Sequence, residues 1–93
     1  MKQDQSVKNR IALSPYKIAI TRYVRSAMAL RNKRYEDLVF DLAQKGIHIN
    51  PDNLRSKVSK GMFSADLLVA IIEVLKVEKV ALSEILTLVK EPG

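Results

Sequence analysis

The sequence predicts an all-α domain of five helices. Apolar residues return at i, i+3 and i+4 in five successive windows. Capping residues, prolines and glycines bound those windows, and no stretch alternates polar and apolar residues for long enough to make a strand. Ninety-three residues suit one domain, and 47% hydrophobic with 28% charged residues is the composition of a folded globule.

The expected organisation is a flexible arm over residues 1–13, polar and without period, followed by a helical domain over 14–91. Ser14-Pro15 supplies a cap and a first-turn proline, so the first helix is expected from there to about Asn32. At about 100° per residue, Tyr16, Ile20, Tyr23, Val24, Ala27 and Leu30 gather on a core face. Arg22, Arg25 and Lys33 lie opposite. A second helix starts at Tyr35, with Leu38, Val39, Leu42 and Ala43 on one stripe and Glu36 and Asp37 in its first turn. Gly46 is placed to end it.

Ile47 and Ile49 flank His48 in the connector and are expected to pin it to the core. Asn50-Pro51-Asp52 then combines a capping residue, a first-turn proline and a first-turn acid, so a third helix begins here and stops at Gly61. Leu54 and Val58 share a face of it. Ser64 caps a fourth helix whose Leu67, Leu68, Ile71, Ile72, Val74 and Leu75 occupy most of the circumference, as in a central core helix; Val69, Glu73 and Lys76 form its outward strip. The last helix carries Leu82, Ile85, Leu86 and Val89 on one stripe and ends before Pro92-Gly93.

Composition excludes several chemistries. There is no cysteine, so disulfides, thiolate metal sites and thiol catalysis are absent, and His48 alone cannot build a histidine metal site or a triad. No glycine-rich phosphate loop and no nucleophile–base pair is present, so neither an enzyme nor a cofactor is expected. No signal peptide is apparent, and the apolar run Leu67 to Leu75 is far too short to span a membrane, which makes a cytoplasmic protein without membrane partners the simplest reading.

The net charge of +6 is unevenly placed: residues 1–34 hold nine basic side chains against Asp4 alone, and the rest holds seven against nine acids. Such asymmetry suits a polyanionic partner, nucleic acid before anionic membrane, with a merely solvated basic face as the plain alternative.

Taken together, several strings resemble the lambda-repressor-like, or XRE-type, helix-turn-helix domains over about Arg22 to Leu86. These are Tyr35-Glu36-Asp37-Leu38-Val39, Val58-Ser59-Lys60-Gly61, the Leu67-to-Val77 helix and Leu82-Ser83-Glu84-Ile85-Leu86. The stretch from Asn53 to Ser64 is similar to a small bacterial family of uncharacterised domains thought to share that fold. Three features depart from the repressor pattern. Arg34 stands where Ser or Thr usually caps, the connector from Gly46 to Asn50 is longer than the usual turn, and Leu54 and Val58 are four apart where three is common.

The resemblance implies a compact five-helix fold whose third helix, residues 50–60, lies in the major groove of double-stranded DNA. The role would be that of a transcriptional repressor of bacterial or mobile-element type. Asn53, Arg55 and Ser56 would then meet base edges, by the pairing chemistry of amide with adenine and guanidinium with guanine. Lys33, Arg34, Lys57, Ser59 and Lys60 would hold phosphates.

Alternatives stay open at this level. Arg55 and Lys57 also suit a solvated helix, Asp52 serves the helix dipole more readily than it reads cytosine, and Tyr35 reads better as a core residue with a wet hydroxyl than as a base-stacking platform. The same fold could serve as a protein-interaction module, an antitoxin or an adaptor. The stripe Leu82, Ile85, Leu86 and Val89, with Leu88 beside it, either pairs two copies into a homodimer or closes the intramolecular core.

Overall fold

The computed structural model describes residues 2–91, with side chains from residue 5. Five helices follow one another: α1 (Lys2–Leu30), α2 (Tyr35–Gln44), α3 (Pro51–Lys60), α4 (Ala65–Leu75) and α5 (Ala81–Lys90). Among the described residues there is no strand, so the all-α, five-helix expectation holds.

The helix ends are set by the chemistry expected of them. Asn50 has an extended backbone and its side-chain oxygen accepts from the Asn53 amide at 2.7 Å, while Pro51 opens the helix where no amide is required. At the other end Gly61 adopts φ +61°, and the Met62 amide reaches back to the Lys57 carbonyl at 3.1 Å. Gly46, at φ +81°, closes α2 in the same way, with the Ile47 amide on the Leu42 carbonyl at 3.0 Å. Ile47 and Ile49 pack against the core and hold the connector down, with His48 exposed between them.

Two expectations are corrected. The arm of residues 1–13 was expected to be flexible and separate from a helix beginning at Ser14-Pro15; instead, from Lys2 onward, this segment is the first half of α1, and Pro15 lies inside the helix. Met1 is outside the described residues. Proline removes one backbone donor and crowds the carbonyl four residues back. Residues 5–16 are all exposed, so the carbonyl left without its helical partner can face water.

The second correction concerns the centre of the fold. The role expected of α4 belongs to α1, whose Ala19, Tyr23, Val24, Ala27 and Met28 are buried and which packs against both α3 and α5. In α4 only Ile71 and Leu75 are fully enclosed; it packs on α2, and Val69 is 64% exposed. A helix apolar around most of its circumference still needs neighbours on every side to be central, and the longer α1 takes those neighbours.

Leu38, Leu42, Leu54, Val58 and Ile71 have no exposed surface, and each contributes about 1.5–3 kcal/mol by leaving water. Polar ties add register. Arg31 closes the C-terminal end of α4 by donating from Nε to the Leu75 carbonyl and from Nη2 to the Lys76 carbonyl, both at 3.0 Å. No helix is long and apolar enough to cross a membrane among the described residues.

Candidate nucleic-acid interface

Helix α3 is anchored by two side chains only. Leu54 and Val58 are buried, and Asn53, Arg55, Ser56, Ser59 and Lys60 are exposed, with Lys57 half-buried. The four-residue spacing of the anchors places them one turn apart on a single edge, which leaves the rest of the circumference to solvent. Its C-terminal half is fixed to α1: Thr21 Oγ1 donates to the Val58 carbonyl at 2.6 Å, and Arg25 Nη2 donates to Ser59 Oγ at 3.2 Å. Gly61 permits this approach, because a Cβ there would fall on the Lys17 carbonyl.

The candidate base-reading residues stand on this face in different states. Asn53 and Ser56 are exposed with their side chains uncommitted in the hydrogen bonds described. Arg55 is held from two sides. Its Nη1 pairs with Asp52 Oδ1 at 3.0 Å, and its guanidinium carbon lies 5.0 Å from the centroid of the Tyr35 ring. Cation–π contact and a carboxylate together restrict a side chain that would otherwise sample many rotamers.

The candidate phosphate-binding residues divide similarly. Lys57, Ser59 and Lys60 line the second half of α3. Lys33 is partly committed to Asp41 through a bond of 2.9 Å. Arg34 occupies the cap position of α2; its amide donates to Asp37 Oδ2 at 2.8 Å, whereas its guanidinium has no lone pair with which to cap the helix in return. That leaves the Arg34 side chain free to point outward.

Arg25 and Tyr35 were not among the residues assigned to the interface from sequence. An open hollow of about 470 Å³ brings Arg25, Lys33, Arg34, Tyr35, Glu36 and Arg55 together from α1, the segment before α2, α2 itself and α3. The signal for Arg25 was its place on the basic face of α1. For Tyr35 no local pattern indicates that an arginine twenty residues later lies over its ring. Four cations and Glu36 line the hollow; Asp41 pairs with Lys33 and Asp52 with Arg55, so its positive field comes mainly from Arg25 and Arg34.

No group of three or more potential metal-ligating side chains occurs among the described residues. The surface presents hydrogen-bonding and charged side chains. The α5 stripe considered for pairing copies is divided by the fold: Ile85 is buried, Leu88 and Val89 pack on the core, and Leu82 and Leu86 remain exposed.

The sequence profile of one protein family, described as Domain of unknown function (DUF6471), matches residues 16–80. That span covers the second half of α1 through α4 and therefore the whole candidate interface. No curated protein and no solved structure matches the chain.

Proposed function

The chain belongs to the DUF6471 family, and from the geometry of this member we propose a DNA-binding transcriptional regulator of lambda-repressor-like type, acting in the cytoplasm. Helix α3 enters the major groove. The observation that carries this reading is the convergence of Arg25, Lys33, Arg34 and Arg55 from separate elements beside an exposed, polar α3. A merely solvated helix has no reason to gather cations from three directions at one edge.

On this reading the cations divide by task. Arg25, Lys33, Arg34, Lys57 and Lys60 neutralise phosphates and set the register, with Ser59 donating to a phosphate oxygen. Asn53, Arg55 and Ser56 meet base edges, and Tyr35 and Asp52 hold the Arg55 guanidinium in one orientation before DNA arrives. Preorganisation of this kind lowers the entropy lost on binding.

Salt titration of binding to a labelled duplex tests the proposal. Five neutralised phosphates correspond to a slope near −4.5 in log K against log salt, which is about a 500-fold loss between 50 and 200 mM. Selection from a random duplex pool then identifies the preferred site. A salt-independent signal, or no binding at low salt, sinks the reading and leaves a protein-interaction module in its place.

A further inference from the structure

An open cleft of about 660 Å³ lies between the second half of α1, the α4–α5 turn and α5, with Ala27, Leu30, Val77, Val80 and Leu88 as its apolar lining. That size falls within the range of pockets that enclose a small ligand, about 300–1,000 Å³. Both ends of the cleft are held in place by side chains of α1. At one, Arg31 donates to the Leu75 and Lys76 carbonyls, both at 3.0 Å, and Lys76 keeps a left-handed backbone, φ +59°, although it is not glycine. At the other, Arg22 pairs with Glu91 at 3.7 Å. A cleft formed in advance lowers the entropy lost when it is filled.

The charges around this cleft are of both signs, and they are sorted by position. Arg31, Lys76 and Lys79 stand with Glu78 at the α4–α5 turn, where cations outnumber the acid. The α5 wall carries acids only, Glu84 and Glu91, and Glu91 is already paired with Arg22. Lys76, Lys79 and Glu84 form no salt bridge among the described residues. One end is therefore net positive, and the other offers a free carboxylate. Hydroxyls lie between them. Tyr23 is 5% exposed, and its hydroxyl makes no hydrogen bond among the described residues yet is not sealed off, so it reaches the open cleft. Thr87 Oγ1 donates to the Ser83 carbonyl at 3.0 Å and keeps its lone pairs for accepting.

We propose that this cleft binds a short apolar peptide of about two or three residues with free ends, its carboxylate at Lys76 and Lys79 and its ammonium at Glu84. The turn lies about 6 Å from Glu84 along α5, and Arg31 about 12 Å from Tyr23 along α1. Two or three extended residues, at about 3.3–3.6 Å each, cover that span. The apolar side chains of the peptide rest on Ala27, Leu30 and Val80, and its backbone meets the hydroxyls between the charged ends.

Other small molecules satisfy fewer of these groups. A free amino acid carries both charges on one carbon and cannot reach both ends. A fatty acid or a phosphate compound leaves Glu84 without a counter-ion or is repelled by it. An aliphatic chain with charged ends spans the cleft but gives Tyr23 nothing to donate to, whereas a peptide carbonyl accepts from the phenol and a peptide amide donates to Thr87. Lys76 fits the same account. Glycine is the favoured residue at a left-handed helix end, so lysine there lowers stability while it supplies a cation to the cleft. The site does not depend on the DNA reading, and its test uses no DNA.

Titration of the full chain with the tripeptide Leu-Ala-Leu, followed by amide-resolved NMR, is expected to shift the amides of residues 76–80 and 84–88 and to saturate below about 10 mM. Acetylating the ammonium or amidating the carboxylate of the peptide should each weaken binding at least about tenfold, as the loss of one charge-assisted contact requires. Glu84→Gln should weaken the free peptide by a similar factor and leave the acetylated one unchanged. Lys76→Gly should raise Tm, and combined with Lys79→Gln it should weaken the free peptide at least about tenfold, a divergence that a purely structural lysine does not produce. Absence of saturation, equal binding of the blocked peptides, shifts confined to α3, or indifference of binding to both sets of changes each overturns the proposal.

Discussion

The guanidinium carbon of Arg55 lies 5.0 Å from the centroid of the Tyr35 ring, while Asp52 holds the same guanidinium at 3.0 Å. The ring orients the cation without reducing its charge, whereas Asp52 both orients and neutralises it. The two substitutions therefore act in opposite directions on duplex binding. Tyr35→Leu should weaken it up to about fivefold, from a cation–π contact of about 0.5–1 kcal/mol at an exposed site. Asp52→Asn should tighten it at low salt, since it removes a carboxylate that repels phosphate. Fluorescence anisotropy at fixed salt checks both, and Tyr35→Phe should bind as the unaltered protein does.

Gly61 and Gly46 both adopt positive φ, at +61° and +81°, but their surroundings differ. Nothing approaches a Cβ at Gly46, whereas one at Gly61 would meet the backbone of Lys17. Gly46→Ala should cost about 1–2 kcal/mol, the penalty of the left-handed conformation alone. Gly61→Ala must also push α3 away from α1 and should cost more than about 2 kcal/mol, lowering Tm by roughly 8 °C or more. Thermal unfolding of the two variants side by side measures the difference.

These two glycines also mark where sequence reading works and where it stops. Helix ends are local: Asn50-Pro51 and Gly61 specify α3 through their own backbone preferences, so its boundaries were legible before any tertiary contact was known. The second role of Gly61, admitting the Lys17 carbonyl, depends on a residue 44 positions away in sequence, and no local pattern carries it. The same limit explains Arg55. Its exposure followed from the spacing of Leu54 and Val58, but its seat on Tyr35 requires the relative placement of α2 and α3. Pro15 misled for a related reason: proline at a first turn and proline in an exposed helix interior look alike in sequence, and only the solvent around residues 5–16 distinguishes them.

Two groups make stability depend on pH at the extremes. The Ser64 hydroxyl and the Leu67 amide, the latter at 2.8 Å, hold the Asp66 carboxyl below its ordinary value of 3.8. Its contribution is thus complete above that value and is lost as pH falls through the lower folded value. Burial first, and the nearby Glu84 second, raise the Tyr23 phenol above 10.0, against a smaller opposing effect of Arg31. The unfolded chain therefore loses this proton more readily than the fold, and stability declines as pH rises past 10.0. Urea midpoints should fall less below pH 3.8 in Asp66→Asn than in the unaltered protein, and less above pH 10.0 in Tyr23→Phe.

Pro15 sits within α1 where the helix has left the body, so its effect should be confined to that segment. A proline in a helix interior is about 3 kcal/mol less favourable than alanine, through the missing amide and the crowded carbonyl of Ile11. Along residues 5–16 no tertiary burial offsets that cost, whereas the second half of α1 is fixed by Ala19, Tyr23, Val24, Ala27 and Met28. Pro15→Ala should therefore raise far-UV helicity and slow amide exchange in residues 5–16, with exchange at the buried positions of α1 nearly unchanged. Equal protection gained along the whole helix would show instead that the two halves of α1 melt as one unit.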